Sequence, residues 1–374
     1  MAEKDHDTTP NTKGGRGGDG MKWASSISIR EYRTGDEEEI NRAYAENFES
    51  RSLDEWRWKF QGNPEGFSLI TVAEADGKIV GQFANLVVRL QVGERIVLAC
   101  QGIDNFVQKD HRRLGSVQFK LVSAQPPLMK EAGIALGFGF PNEDAYLVGK
   151  YLLGYQDLFP LPIHFRRLTW RFAVQRRVPR LPGWALTCVT RLTAAVTRCA
   201  LRRHRNARIS VREVTGFDRR VDTLWESARA SYPILTVRTQ PYLTWRYVAR
   251  PRHRYTILAA ERDAALVGYV VLKREAGGDD AQIVDILSEP DEAVDRALVS
   301  ATLRWCLDQG FAFVVCGMLE EDRVYRSLVR CGFRRCRGNP PLRMTFGVFS
   351  SELDPTMVRH SRNWHLTLGD SDHV

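Results

Sequence analysis

Arg112-Arg113-Leu114-Gly115-Ser116 is a basic turn ending in glycine, set between an apolar stretch (Ile103, Phe106, Val107) and a helical pattern running on through Leu121. A strand that hands its chain to a helix N-terminus through a cationic turn brings unsatisfied backbone N–H groups and the positive dipole end to one point. The chemistry of such a corner is anion binding, and a phosphate suits it. A second glycine run, Gly15-Arg16-Gly17-Gly18-Asp19-Gly20, has neither a strand before it nor a helix after it and carries no such meaning.

Regular elements must hold that corner, and the chain spells them out. Ile27 to Tyr32 predicts a strand; Thr34 with Glu37 and Ser52 with Glu55 predict two capped helices, the second carrying Trp56, Trp58 and Phe60. Asp76-Gly77 joins two strand runs, Phe67 to Glu74 and Ile79 to Leu90, and Arg95 to Val107 follows as a third. After the glycine helix, interrupted at Pro126-Pro127, come a strand from Ile134 to Phe140 and a helix opened by Asn142 and closed by Gly154.

The order β-α-α-β-β-β-α-β-α over about residues 26–160, with Arg112, Gly115 and the turn between them, resembles the GNAT acyltransferases, whose signature after a strand is R/Q-x-x-G-x-G/A. Here Val117 stands at the last small position and would crowd a pyrophosphate if it pointed into the corner. The resemblance implies acetyl-CoA as co-substrate, held by the backbone of Phe106 and Val107, by Arg112, Arg113, Leu114, Gly115 and Ser116, and by Asn142. It implies direct attack by an amine acceptor, with a tyrosine returning a proton to the departing thiolate; Tyr146 and Tyr151 are the candidates, Tyr151 lying two residues beyond the commonest spacing from Asn142. For the base the nearby carboxylates are Asp104, Glu143 and Asp144, and Asp104 is equally readable as a structural strand-end residue on the opposite sheet face.

The markers then recur. Trp245-Arg246-Tyr247 precedes Pro251 as Trp56-Arg57-Trp58 precedes Pro64; Val267-Gly268 echoes Val80-Gly81, and Asp285 echoes Asp104. We expect an α/β fold of two tandem GNAT-like domains on mixed sheets. The expected divisions are a disordered tail over 1–25, a cofactor-binding domain over 26–160, a closing strand (Phe165 to Val174) and linker helix within 161–207, a degenerate second domain over 208–348, and a tail over 349–374. Degeneracy is read from Ser288-Glu289-Pro290-Asp291-Glu292, where carboxylates replace the glycine corner and would repel a phosphate.

Composition bounds the partners. The 374 residues carry a formal net charge of +9, yet eleven arginines and no acidic residue lie between Leu161 and Ala207, and the remainder is close to neutral. This segment suits either an anionic membrane or acidic glycan surface, or a connector whose apolar side (Leu186, Val189, Val196, Ala200) packs between the two copies. Nucleic acid fits less well, since no binding module is recognisable. Seven scattered cysteines suggest reduced thiols, no histidine stands at metal-ligand spacing from Cys331 and Cys336, and the start lacks a signal-like apolar run, so a metal-free, cytoplasmic protein is expected. The alternatives to an N-acetyltransferase for an amine or amino sugar are an aminoacyl-tRNA-dependent acyltransferase and a non-catalytic binding protein.

Overall fold

The computed structural model describes residues 27–112, 115–152, 154–204, 206–274, 278–338 and 340–372. The expected N-terminal tail therefore lies outside the described residues, as do Arg113 and Leu114. The strands are β1 Ser28–Glu31, β2 Ser68–Ala75, β3 Lys78–Val92, β4 Arg95–Val107, β5 Ile134–Gly139, β6 Gln156–Asp157, β7 Ile163–Arg167, β8 Ser210–Val214, β9 Ile234–Thr236, β10 Tyr255–Arg262, β11 Ala265–Arg274, β12 Asp280–Ser288, β13 Phe313–Gly317, β14 Arg334–Arg335 and β15 Thr345–Val348. The helices are α1 Glu37–Ala45, α2 Leu53–Phe60, α3 Ser116–Ser123, α4 Gln125–Glu131, α5 Glu143–Leu152, α6 Arg171–Arg177, α7 Gly183–Arg202, α8 Arg220–Arg229, α9 Gln240–Leu243, α10 Glu292–Asp308, α11 Tyr325–Arg330 and α12 Pro355–Arg359.

Two mixed sheets result, in the orders β1-β2-β3-β4-β5-β15-β6, with β9 added against β3, and β8-β10-β11-β12-β13-β7-β14. Each is an antiparallel meander that ends on one parallel pair, β4 with β5 and β12 with β13. The local signals act as expected at most positions. Asp76 and Gly77 take φ of 51° and 72°, the left-handed pair a two-residue hairpin demands, and the Ser52 hydroxyl accepts from the Glu55 N–H to start α2. The N-cap of α1 is Asp36 rather than Thr34, because Glu37 turns back to accept from the Gly35 N–H and the Tyr32 hydroxyl.

The duplication is visible in contacts. Arg51 and Arg238, Trp58 and Trp245, Pro64 and Pro251, and Gly81 and Gly268 are each separated by the same 187 residues. Trp58 thus corresponds to Trp245, two residues from the match that Trp56 suggests. The two indoles stack with centroids 5.2 Å apart and each donates to the other's backbone carbonyl, at 2.7 and 2.8 Å. An isologous contact of this kind is what a pseudo-twofold axis produces.

The copies exchange their last strands. The closing strand expected over Phe165 to Val174 is instead Ile163–Arg167, with helix α6 beginning at Arg171, and it pairs with β13 and β14 of the second sheet. The edge of β5 is taken by β15 from the far end of the chain, in register from Leu136↔Val348 to Gly139↔Thr345. Residues beyond 349 are no tail either: Trp364, Leu366 and Val358 are buried in the core of the first sheet with Phe138 and Leu136. An apolar strand edge left open is costly, and both edges are covered reciprocally.

Candidate active site

The site begins where the first parallel pair comes apart. Strands β4 and β5 are bonded from Leu98↔Ile134 to Gln101↔Phe138 and then diverge, so β4 from Gly102 onward faces a gap. Within that stretch Asp104 and Asn105 stand opposite the single residue Phe83, a bulge that puts Asp104 at φ 51° and is held by side chains in place of the ladder: Asn105 Oδ1 accepts from the Ala84 N–H and Gln82 Nε2 donates to the Asp104 carbonyl. The gap opens into a cavity of about 610 Å³ lined by Gly102, Asn105, Phe106 and Val107 on one side and Phe138, Gly139, Phe140, Pro141 and Asn142 on the other.

Its far end is the basic corner. Gly115, the N-cap of α3, lies at φ 67°, a conformation that glycine reaches without the penalty a side chain incurs. Lys109, Arg112, Gly115 and Gln118 all line the cavity. Arg112 is braced, its guanidinium donating to the Val107 carbonyl at 2.7 Å and to Asn47 Oδ1 at 2.6 Å. Val117 does not crowd the corner: it is buried with Val80, Phe83, Val107 and Leu121 under the sheet. The residues present therefore fit a diphosphate at α3 and an extended chain along β4.

The predicted residues separate clearly. Phe106, Val107, Arg112, Gly115, Asn142 and Tyr146 line the cavity, whereas Ser116, Glu143 and Tyr151 do not. Tyr151 is 76% exposed, so the structure does not bring it to the reacting centre. Asp104 is also displaced from that role. It is buried and bonded to Arg51 and, at 3.0 Å, to Lys59; burial raises its pKa, but the two cations more than offset this and hold the carboxyl below its ordinary value. A carboxylate held this way accepts no proton near neutrality. Asn142 serves the helix as well as the cavity, its Oδ1 accepting from the Ala145 N–H.

Residues not singled out from the sequence complete the lining. Tyr155 enters beneath α5, and a Cβ at Gly149 would lie 2.9 Å from its ring, so the glycine exists to admit it. Gly149 occupies the helix position two before Tyr151, the one where the tyrosine spacing was expected, and a small residue there was the available signal. Burial pushes the Tyr155 hydroxyl well above its ordinary pKa. Tyr146 is exposed to a different network, donating to Asp157 at 3.0 Å and accepting from Lys150 at 2.8 Å. Glu46 and Asn47, following α1, and Asp144, one of the carboxylates the sequence offered as a base, supply the polar rim, with Phe48 beside them.

In the second copy the corresponding divide is filled by described residues. Its parallel pair separates after Ile283↔Cys316, and the C-terminal segment fills the divide: His365 Nε2 lies 2.9 Å from the Ile286 carbonyl oxygen, and Leu368 packs against Gly317. At its corner the Asp291 carboxylate already caps α10, accepting from the Ala293 N–H at 2.8 Å. A built-in anion occupies the place of a phosphate. Among the described residues no cluster could hold a metal ion, and no helix is long and apolar enough to cross a membrane.

Comparison agrees with this architecture. No curated protein matches the chain by sequence. Among solved structures, a probable N-acyltransferase from Enterococcus faecalis superposes with a TM-score of 0.62 at 10% identity, covering 87% of this chain and 73% of its own. A GCN5-related N-acetyltransferase from Kribbella flavida (0.58, 14% identity, 87% and 71%) and Eis1 from Mycobacterium abscessus (0.55, 14%, 87% and 74%) share the fold likewise. Residues 28–151, which hold the diverging strands and the glycine corner, match the model of the acetyltransferase (GNAT) domain.

Proposed function

We propose that the protein is an N-acetyltransferase that passes an acetyl group from acetyl-CoA directly to an amine acceptor within a ternary complex. The observation that carries this reading is the gap after Gln101↔Phe138, which leaves a strand edge and a helix N-terminus facing one cavity. Lys109, Arg112 and the start of α3 are suited to the diphosphate, and the β4 edge from Gly102 to Val107 to the pantetheine arm, as a strand added to a sheet. Beyond Gln101 the β4 edge has no β5 partner, and its backbone N–H groups are the donors we assign to polarise the thioester carbonyl. Glu46 and Asp144 give the rim a negative side that favours an ammonium-bearing acceptor.

Tyr155 is the residue we assign to return the proton to the leaving thiolate. Its hydroxyl stays protonated through neutral pH because burial raises its pKa, and it sits in the lining rather than outside it. Tyr155→Phe should therefore lower kcat by about a hundredfold with little change in acetyl-CoA affinity, whereas Tyr151→Phe should leave both unchanged. Thiol release measured against a panel of amines reads this directly, and an equal loss in the Tyr151 variant would remove the assignment.

The reading as a whole is tested by calorimetric titration of acetyl-CoA into wild type and Gly115→Glu. Wild type should bind and the variant should not, since a carboxylate would occupy the phosphate position on a backbone that disfavours side chains. Absence of heat with wild type, or equal affinity in the variant, would refute it.

A further inference from the structure

Helix α7 carries apolar residues on both its inward and its outward side. Its body-facing side is rich in threonine: Thr190, Thr193 and Thr197 turn their hydroxyls onto backbone carbonyls, Thr197 also reaching the Leu168 carbonyl at 3.1 Å. Its inward contacts include Ala194 and Leu201, which pack in the second core, Ser300 donating to the Leu201 carbonyl, and Arg198 paired with Asp308. The solvent side carries Trp184, Cys188, Leu192, Ala195, Val196 and Cys199, one stripe at helical spacing and exposed throughout. Trp184 is 73% exposed, Leu192 67% and Val196 62%. Val196, expected to pack inward with Leu186 and Val189, faces outward instead.

A surface helix normally buries its apolar stripe, so an outward stripe needs an occupant. Of the large apolar side chains exposed among the described residues, five belong to this one region: Trp170, Val178, Trp184, Leu192 and Val196. Around them Arg176, Arg177, Arg180 and Arg191 are exposed and, among the described residues, form no ion pair with a carboxylate. No acidic residue occurs from Leu161 to Ala207. Two copies of such a face would repel each other, which argues against self-association. Tryptophans at the rim, aliphatic side chains along the stripe and unpaired arginines beside them match the layering of an anionic lipid surface.

We propose that the α6–α7 hairpin docks the protein on an anionic phospholipid bilayer, α7 lying in the interface plane with Trp184, Leu192 and Val196 inserted and the arginines among the headgroups. The docking face is separate from the cavity, so it stands or falls independently of the acetyl transfer proposed above.

The test is co-sedimentation of the full chain with phosphatidylcholine vesicles, with and without phosphatidylglycerol. Binding should require phosphatidylglycerol and weaken as salt rises. Trp184→Ser with Leu192→Ser and Val196→Ser should reduce it about tenfold or more, and Arg176→Gln, Arg177→Gln, Arg180→Gln and Arg191→Gln together about a hundredfold or more. Both variants change exposed side chains and should keep the wild-type thermal midpoint, which verifies that lost binding is not lost folding. No sedimentation with anionic vesicles, equal sedimentation with neutral ones, or undiminished binding by both variants would overturn the proposal. So would a dimer in light scattering that the Trp184→Ser variant dissociates, or retention on heparin without vesicle binding; these would assign the face to a second copy or to acidic glycans.

Discussion

A chain ending at residue 340 is expected to lose cooperative folding in both halves, although the deletion lies about as far from the glycine corner in sequence as this molecule allows. Strand β15 occupies the edge of β5 and is itself the strand to which β6 is bonded, so its removal leaves β6 without a partner. Met344, Phe346, Leu353, Val358, Trp364 and Leu366 would leave a core that also contains Trp56, Leu136 and Phe138. At ~1.5–3 kcal/mol for each large apolar side chain, their loss forfeits about 10 kcal/mol or more, which matches or exceeds the whole net stability of an ordinary domain. The second half suffers at the same time, because Trp364–Asp370 fills the divide between β12 and β13, and Arg238 loses Asp370 as a partner at 2.8 Å. A milder variant, Trp364→Ala, should cost about 3–5 kcal/mol and lower the midpoints reported from both sheets together. A truncated chain that still melts in one sharp transition and still binds acetyl-CoA would show that the exchanged strands are dispensable.

That exchange was out of reach of the sequence for a physical reason. Periodicity and turn chemistry report on neighbours, and they located the hairpin at Asp76-Gly77, the glycine corner at Gly115 and the helix opened by Asn142. Which edge a four- or five-residue strand covers is decided by burial among residues more than a hundred positions away, and Thr345–Val348 has no local feature that prefers β5 to β13. The same limit applies to α7. Of the four residues expected to pack inward, Leu186, Val189 and Ala200 are half-buried and Val196 is exposed, and the second apolar stripe, Trp184 with Leu192, went unremarked because the arginines drew attention elsewhere. Tyr155 escaped because it lies past the helix end, and the clue was an absence of bulk at Gly149. Asp104 shows the limit of alternation: the bulge interrupts it, so Asp104 lies not on the face opposite Ile103 but on the same side, Ile103 packing with Trp56 and Phe60 of α2 while Asp104 is bonded to Lys59 of that helix and to Arg51.

Those partners set up the second large effect. Asp104→Asn keeps a residue that tolerates the left-handed backbone at φ 51° and nearly the same volume, yet it leaves Arg51 and Lys59 facing a neutral amide in a buried site. Stranding buried charge costs about 3–5 kcal/mol. In the second copy the stoichiometry is inverted: one cation, Arg238, lies between two carboxylates, Asp285 at 3.2 Å and Asp370 at 2.8 Å. Asp285→Asn leaves Arg238 one partner and should cost distinctly less, despite the equivalent position. Acid sensitivity follows the same logic. Because the folded-state pKa of Asp104 is depressed, its stabilisation is fully present above the ordinary carboxylate value of 3.8 and is lost as pH falls through the lower folded value. Wild type should therefore lose stability on acidification below that value, and Asp104→Asn, lower throughout, should show a shallower acid limb. Chemical denaturation at a series of pH values measures both, and thiol release at low temperature, where the variant remains folded, separates structure from catalysis. Near-normal turnover there would confirm Asp104 as a structural anchor of the bulge, while a large loss of kcat with unchanged stability would return it to the role of base.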